Sequence, residues 1–325
     1  MNLALCFCVR DCEHYLERIF KNIDSMESLS MNIYCIFIYD NCKDNSAALL
    51  KNYEKQHTNV IVKEIENKNP HRTIRISKAR NTCLGIIYNH LKMIQYHIMI
   101  DCDDVCCNPW DLNVLNNTLN NVDNDDWDSI SFNRDYYYDV WALMFDNFNH
   151  HCWGYGMNSR KVVEIMRSEI INKLKTSKTN SIQVISAFNG FCIYKTDKFK
   201  EFRYEGLYYN LRPLIPEYEV LKTIQYLRTF DLTIKLDMNP KNECCEHLFY
   251  NLSAHKKGCK NKISKFQIVS VQSEQQQQKK PQQQQKPQQQ QKPQQQQKPQ
   301  QKKTQKSQQF QFSHRSNTKV KLTFN

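Results

Sequence analysis

Four short apolar runs open the chain: Leu3–Val9, Asn32–Asp40, Val60–Ile65 and His97–Ile100, the last leading straight into acids. Each is of strand length, and the first three gaps between them hold helix-like stretches. From Glu13 to Ser25 the apolar Tyr15, Leu16, Ile19, Phe20 and Ile23 fall on one face. Asp44-Asn45-Ser46 offers N-cap side chains to a helix reaching about Gln56, and Ser77 does the same for one running to about Lys92. Runs that are apolar throughout belong to strands buried on both faces. Strand–helix–strand alternation therefore predicts an α/β domain, a mostly parallel sheet flanked by helices. In such sheets ligands bind outside the carboxyl ends of the strands, so the residues just after each run are the ones to inspect.

Composition narrows the class of function. The 325 residues carry 45 Lys/Arg against 33 Asp/Glu, a net +12. That excess sits at one end: 11 of the 45 basic and only Glu274 of the acidic residues lie in 273–325, leaving 34 against 32 in 1–272. A near-neutral body is not a polyanion groove, and no nucleic-acid partner is expected. From residue 273 onward Gln-Gln-Gln-Gln-Lys-Pro recurs, which has too little apolar surface to offset ordering entropy. The expected organisation is a catalytic domain over 1–272 and a disordered basic tail over 273–325. The end of that tail, Phe310 to Phe324, regains a few apolar residues; it reads better as frayed than as a docking peptide for a partner. No run approaches the roughly 18 apolar residues of a membrane span. Met1 to Arg10 lacks the basic leader and cleavage site of a signal peptide, so the 14 cysteines are expected to be reduced thiols in a cytosol-like compartment.

Chemistry concentrates at Asp101-Cys102-Asp103-Asp104. Alternate residues of an extended chain point the same way, so Asp101 and Asp103 can converge on one cation. Asp104 remains the alternative to Asp101 as second ligand. Hard oxygen donors suit Mg²⁺ or Mn²⁺ bridging a diphosphate. Asp40 closes the second apolar run, where it can meet a nucleoside's base or ribose, or simply cap the next helix. Ser77-Lys78-Ala79-Arg80-Asn81 reads as a helix start, and Arg80 and Asn81 there favour a diphosphate.

A strand-end Asp, an Ala-Arg-Asn helix start and a strand-borne Asp-x-Asp, in that order, resemble the glycosyltransferase A fold of nucleotide-sugar enzymes. Asp128–Asn133, Tyr138-Asp139-Val140-Trp141, Phe188-Asn189-Gly190-Phe191, Phe202-Arg203 and Cys245-Glu246-His247 then follow one another. That series resembles the fungal capsule-associated mannosyltransferases and their relatives in large DNA viruses and protists. The resemblance implies a UDP- or GDP-linked sugar donor, a glycan or protein hydroxyl acceptor, and, for a viral relative, a place in the host cytoplasm or virion. Likeness to the A-type fold implies that a late histidine completes the metal shell, and His247 is the candidate, although the fungal enzymes carry another residue at its place.

Glu246 is a candidate for contacting the acceptor, and Asp139 for the base that takes its proton, with Glu217 and Glu219 as alternatives. Asn189-Gly190, after an expected strand Val184–Phe188, offers backbone that can approach a sugar. Tyr136, Tyr137, Tyr138, Trp141, Trp153 and Tyr155 are dense enough for a stacking platform, although at least half are expected in the core. Structural zinc has little support, because the cysteines form no pair of well-spaced Cys-x2-Cys knuckles. A catalytically inactive member of the fold, binding carbohydrate or a partner, is the alternative reading.

Overall fold

The computed structural model describes residues 1–270 except 92, 121–125, 238, 240 and 241; the expected tail and its boundary at 272/273 lie outside the described residues. The strands are β1 (Asn2–Val9), β2 (Asn32–Tyr39), β3 (Val60–Glu64), β4 (Tyr96–Asp101), β5 (Ser129–Phe132), β6 (Ser181–Val184), β7 (Phe191–Lys195) and β8 (Asn261–Ser264). They form one sheet in the order β3-β2-β1-β4-β7-β5-β8-β6. The first four are mutually parallel; β7 runs antiparallel to both β4 and β5, β8 is parallel to β5, and β6 antiparallel to β8. The sheet is thus mixed, with its parallel half built from the four runs legible in the sequence.

Around it lie α1 (Glu13–Ser25), α2 (Ser46–Gln56), α3 (Arg72–His90), α4 (Leu112–Asn120), α5 (Ser159–Thr176), the single turns α6 (Thr196–Phe199) and α7 (Tyr208–Leu211), α8 (Glu217–Arg228) and α9 (Glu246–Lys256). Side chains alternate across the pleat. Leu3, Leu5, Phe7 and Val9 therefore pack with Leu16, Ile19 and Ile23 of α1 and Leu50 and Tyr53 of α2. Ala4 and Cys6, on the other face, meet Ala79, Cys83, Leu84 and Ile87 of α3 and Leu248 and Leu252 of α9. Small residues there let α3 lie close to the sheet. A third cluster joins Val162, Met166 and Ile170 of α5 to Ile182, Leu227 and Ile263.

From β1 the chain moves one way to β2 and β3, then returns to the far side of β1 for β4. That reversal sets a switch point at the carboxyl ends of β1 and β4, where Cys8 pairs with Asp101; it is there that sheets of this kind form their ligand crevice. Two expectations need correction. Helix α3 begins at Arg72, not Ser77: Pro70 ends the preceding loop, the Thr73 amide donates to Glu243 Oε1 at 2.8 Å, and Ser77 Oγ donates to the Thr73 carbonyl at 2.7 Å inside the helix. Residues 184–188 are not a strand of their own: β6 ends at Val184, and the strand of this region, β7, follows Asn189-Gly190 rather than preceding it.

Candidate active site at the carboxyl edge

Arg80 organises the crevice. It lies in the third turn of α3, is 2% exposed, and packs its guanidinium 4.7 Å from the Phe188 ring centre. Its Nε donates to Glu246 Oε1 at 2.9 Å and its Nη2 to Asp101 Oδ1 at 3.2 Å. One buried cation thus ties the end of β4 to the first residue of α9. An arginine suits this, because its planar fork reaches two acceptors at once.

Two further carboxylates feel the same centre. Asp103 sits two residues past β4 and accepts the Val105 amide at 3.0 Å. Burial and the Asp101 charge push its carboxyl up to about 7. Asp139 caps the short turn Val140–Ala142 by accepting the Ala142 amide at 3.1 Å. It too is pushed up to about 7, by burial and then by Asp101, with Glu246 adding to the effect and Arg80 opposing it. Asp101 itself is raised by burial, which outweighs the pull of Arg80. Asp101, Asp139 and Glu246 therefore share the Arg80 guanidinium, while Asp103 is opposed by Arg134. Asp104 points to solvent.

Asn189 and Gly190 hold this arrangement from behind. Both have left-handed backbone, φ 56° and 85°. The Asn189 Oδ1 accepts the Tyr138 and Asp139 amides, each at 3.1 Å, and its Nδ2 donates to the Phe132 carbonyl at 2.8 Å. The Gly190 carbonyl accepts the Asp101 amide at 2.9 Å, and a Cβ on Gly190 would stand 2.8 Å from Val105 Cγ1. Gly190 is thus required by close packing of backbone against the acidic turn.

Other expected residues are placed differently. Asn81 spends its amide on the Tyr204 backbone, donating to the carbonyl at 2.9 Å and accepting the N–H at 2.8 Å. The α3 amino end, expected near Ser77, is satisfied by Glu243 instead. Glu217 pairs with Arg212, and Glu219 accepts from Asn149 at 2.6 Å. Of the six aromatic residues, Tyr137 and Tyr155 are core and Trp141 is partly buried, whereas Tyr136, Tyr138 and Trp153 are exposed. The Tyr138 hydroxyl stands 3.5 Å from Asp101 Oδ2. Asp40 lies just past β2; one of its oxygens is sealed from solvent without a hydrogen bond, and Arg10 Nη1 stands 3.6 Å from it. A concavity of about 370 Å³ on the side of α3, lined in part by Ile74, Lys78 and Glu205, includes none of these carboxylates.

The donor set for a divalent cation fits in part. Asp101 and Asp103 do: each is a hard oxygen donor whose ionised form is disfavoured by burial and by its neighbour, a penalty that a cation relieves. His247 does not. Its ring stacks on Phe188 at 3.7 Å and is 1% exposed, and burial and Arg80 hold it neutral, well below the usual imidazole value. Neither ring nitrogen has a hydrogen-bond partner; Glu246 Oε1 stands 3.7 Å from Nε2. Among the described residues, Asp101, Asp103 and His247 do not bring three ligand atoms within 4.8 Å of one another; Asp11, Cys42 and Asp44 do. In that trio the Asp44 oxygens already accept the Glu13 and Ser46 amides, as helix caps do.

The sequence reading missed the cations of the rim. Arg10 follows β1 directly, and Arg72 and Arg75 open α3. Arg72 lowers the Asp101 carboxyl, and the Arg75 guanidinium is shifted down by burial and by Arg10. The signal was present in His71-Arg72-Thr73-Ile74-Arg75, but placing the helix start at Ser77 left these residues in a loop.

No protein-family model matches the chain, and no curated protein matches it. Solved structures similar to it include S. aureus TarS 1–349 in complex with UDP-GlcNAc, at 11% identity, covering 84% of this chain and 60% of that one, TM-score 0.44. The mannosyltransferase PcManGT from Pyrobaculum calidifontis in complex with GDP-Man and Mn²⁺ is similar at 10% identity, covering 62% and 47%, TM-score 0.34. M. tuberculosis glucosyl-3-phosphoglycerate synthase is similar at 11% identity, covering 71% and 66%, TM-score 0.37. The chain spans about three fifths of the length of the TarS 1–349 chain.

Proposed function

We propose that this chain is a glycosyltransferase of the A-type fold, moving a sugar from a UDP- or GDP-linked donor to a hydroxyl of a glycan or protein acceptor. The observation that carries it is the gathering of Asp101, Asp139 and Glu246 around Arg80, with Asp103 beside Asp101, at the carboxyl edge of the parallel strands. The likeness of its motif series to the capsule-associated mannosyltransferases and their viral relatives supports mannose as the sugar. The 14 free thiols fit a reducing, cytosol-like compartment.

Asp101 and Asp103 would hold Mn²⁺ or Mg²⁺, which when bound supplies positive charge to the diphosphate leaving group. Asp40 faces the nucleoside, and Arg10, Arg72 and Arg75 supply cations at the rim for its phosphates. Arg80 keeps the first carboxylate in place by fixing Asp101 Oδ1, leaving Oδ2 toward Tyr138. The acceptor hydroxyl attacks the anomeric carbon, its proton passes to the Asp139 carboxylate, and the bond to the nucleoside diphosphate breaks. A carboxyl at about 7 is half ionised at neutral pH, which suits a general base. Tyr136, Tyr138 and Trp153 leave aromatic surface for acceptor rings.

The test is a thermal-shift screen of UDP- and GDP-sugars with and without Mn²⁺, followed by donor turnover. A midpoint raised by one donor only when metal is present supports the reading. Asp103→Ala should abolish that shift and lower turnover by at least about a hundredfold; wild-type turnover by this variant would end the assignment. The packed His247 favours a second reading, a binding protein of the same fold, which predicts donor binding without turnover.

A further inference from the structure

Asn189 and its left-handed backbone are unlike anything else in the crevice, because they touch both sides of it without facing it. The residue is 1% exposed, and its carboxamide is used three times within the protein: by the Tyr138 amide, the Asp139 amide and the Phe132 carbonyl. Its own carbonyl accepts from Arg134 Nε at 3.2 Å. The next carbonyl, that of Gly190, takes the Asp101 amide. With both acceptor bonds and one of its two N–H donors used inside the protein, and the residue 1% exposed, the carboxamide serves the fold around the site before any ligand. We propose that Asn189 is a positioning residue: it fixes the Tyr138-Asp139 loop relative to Asp101, so that the acceptor-side carboxylate and the cation-side carboxylate keep one separation.

The inference rests on the transfer reading for its kinetic consequence, and the geometry carries the rest. Two adjacent residues with positive φ are costly unless the surroundings hold them, and asparagine, aspartate and glycine adopt that backbone most readily. Residue choice at 189 is thereby narrowed to three, of which only asparagine both accepts two amides and donates to Phe132. Asn189→Asp keeps the backbone and an oxygen for the two amides, and keeps the Phe132 contact only while its carboxyl is protonated. Asn189→Gly keeps the backbone alone. The pair separates side-chain positioning from backbone strain.

The full chain, wild type and both variants, is assayed for hydrolysis of UDP-glucose and GDP-mannose with Mn²⁺, Mn²⁺ binding is measured by EPR, and amide exchange is followed over residues 134–142. Expected for Asn189→Gly are a kcat lower by about a hundredfold, as for a catalytic group displaced by an ångström, with donor KM and Mn²⁺ affinity within about threefold of wild type. Exchange at Tyr138 and Asp139 should quicken at least tenfold, and Asn189→Asp should recover about tenfold of the lost kcat. A kcat within threefold of wild type, a loss confined to KM, or no recovery in Asn189→Asp would overturn the positioning role. Should wild type turn over neither these donors nor any other in the UDP- and GDP-sugar screen, the transfer reading fails. The exchange data then decide the inference alone: unchanged protection at Tyr138 and Asp139 in Asn189→Gly overturns it, and lost protection supports it.

Discussion

Shifting the pH from 8 to 5 should set four buried histidines against two partly buried carboxyls. His97 is pushed down to about 3 and His151 to about 4, while His150 and His247 go well below the ordinary 6.5, all through burial. Each stays neutral in the folded chain and takes a proton at pH 5 only when unfolded. The unfolded state therefore binds more protons, and stability falls as pH drops through 6.5. At pH 5 each such histidine costs roughly 2 kcal/mol, about 8 kcal/mol for the four. Asp103 and Asp139 act with the opposite sign. Their folded values near 7 lie above the unfolded 3.8, so protonation stabilises the fold, fully below 3.8 and progressively less as pH rises through 7. At pH 5 each returns roughly 2.6 kcal/mol, about 5 together. Wild type should thus lose only a few kcal/mol, whereas the Asp103→Asn/Asp139→Asn variant, which cannot take up those protons, should lose about 5 kcal/mol more. Thermal midpoints at both pH values, without divalent metal, read this as an extra fall of roughly 10–20 °C in the variant. Equal falls in the two proteins would refute the assignment of raised carboxyls, and no fall in either would refute the neutral histidines.

Other outcomes follow from single contacts. Gly190→Ala places a Cβ 2.8 Å from Val105 Cγ1 on backbone with φ 85°, and should lower stability in urea by about 2–3 kcal/mol. Arg80→Met leaves Glu246 and Asp101 buried without their cation and should cost about 3–5 kcal/mol; adding Glu246→Leu should restore part of it, read by the same denaturation. Glu243→Ala removes the acceptor at the start of α3 and should cost about 1 kcal/mol, with helix content by circular dichroism largely kept.

The parallel half of the sheet was legible because its strands are buried on both faces, so Leu3–Val9 and Asn32–Tyr39 read as apolar without interruption. Helix α1 was legible to the residue, since its one apolar stripe faces the sheet. The start of α3 was not: its amino end is satisfied by Glu243, 170 residues away, so the local rule selected Ser77, whose hydroxyl in fact bonds back into the helix. The same long-range logic governs the site. Asp101 and Asp103 announce themselves by following an apolar run, but the partner that makes Asp101 distinctive, Arg80, could be read only as a helix-start cation. Its engagement with Glu246 spans 166 residues. Asn189 was singled out for its place before a glycine, yet its role depends on amides at 138 and 139 brought to it by the antiparallel β7.

Charge within the crevice ties these observations together. Asp101, Asp103, Asp139 and Glu246 meet three guanidiniums, Arg80 on Asp101 and Glu246, Arg72 near Asp101 and Arg134 near Asp103, an excess of one negative charge if all are ionised. Removed from water, such an excess must be met by protons or by a cation. The raised carboxyls of Asp103 and Asp139 are the first response. The second would be a divalent ion, whose arrival favours the ionised forms and so releases those protons. Mn²⁺ added at pH 7 in weak buffer should therefore liberate protons from the wild-type protein, and fewer from Asp103→Asn, as measured by a pH indicator dye. Binding of Mn²⁺ without proton release would mean that the ion is held elsewhere, and the acids around Arg80 would then have to be explained as a structural ion-pair network alone.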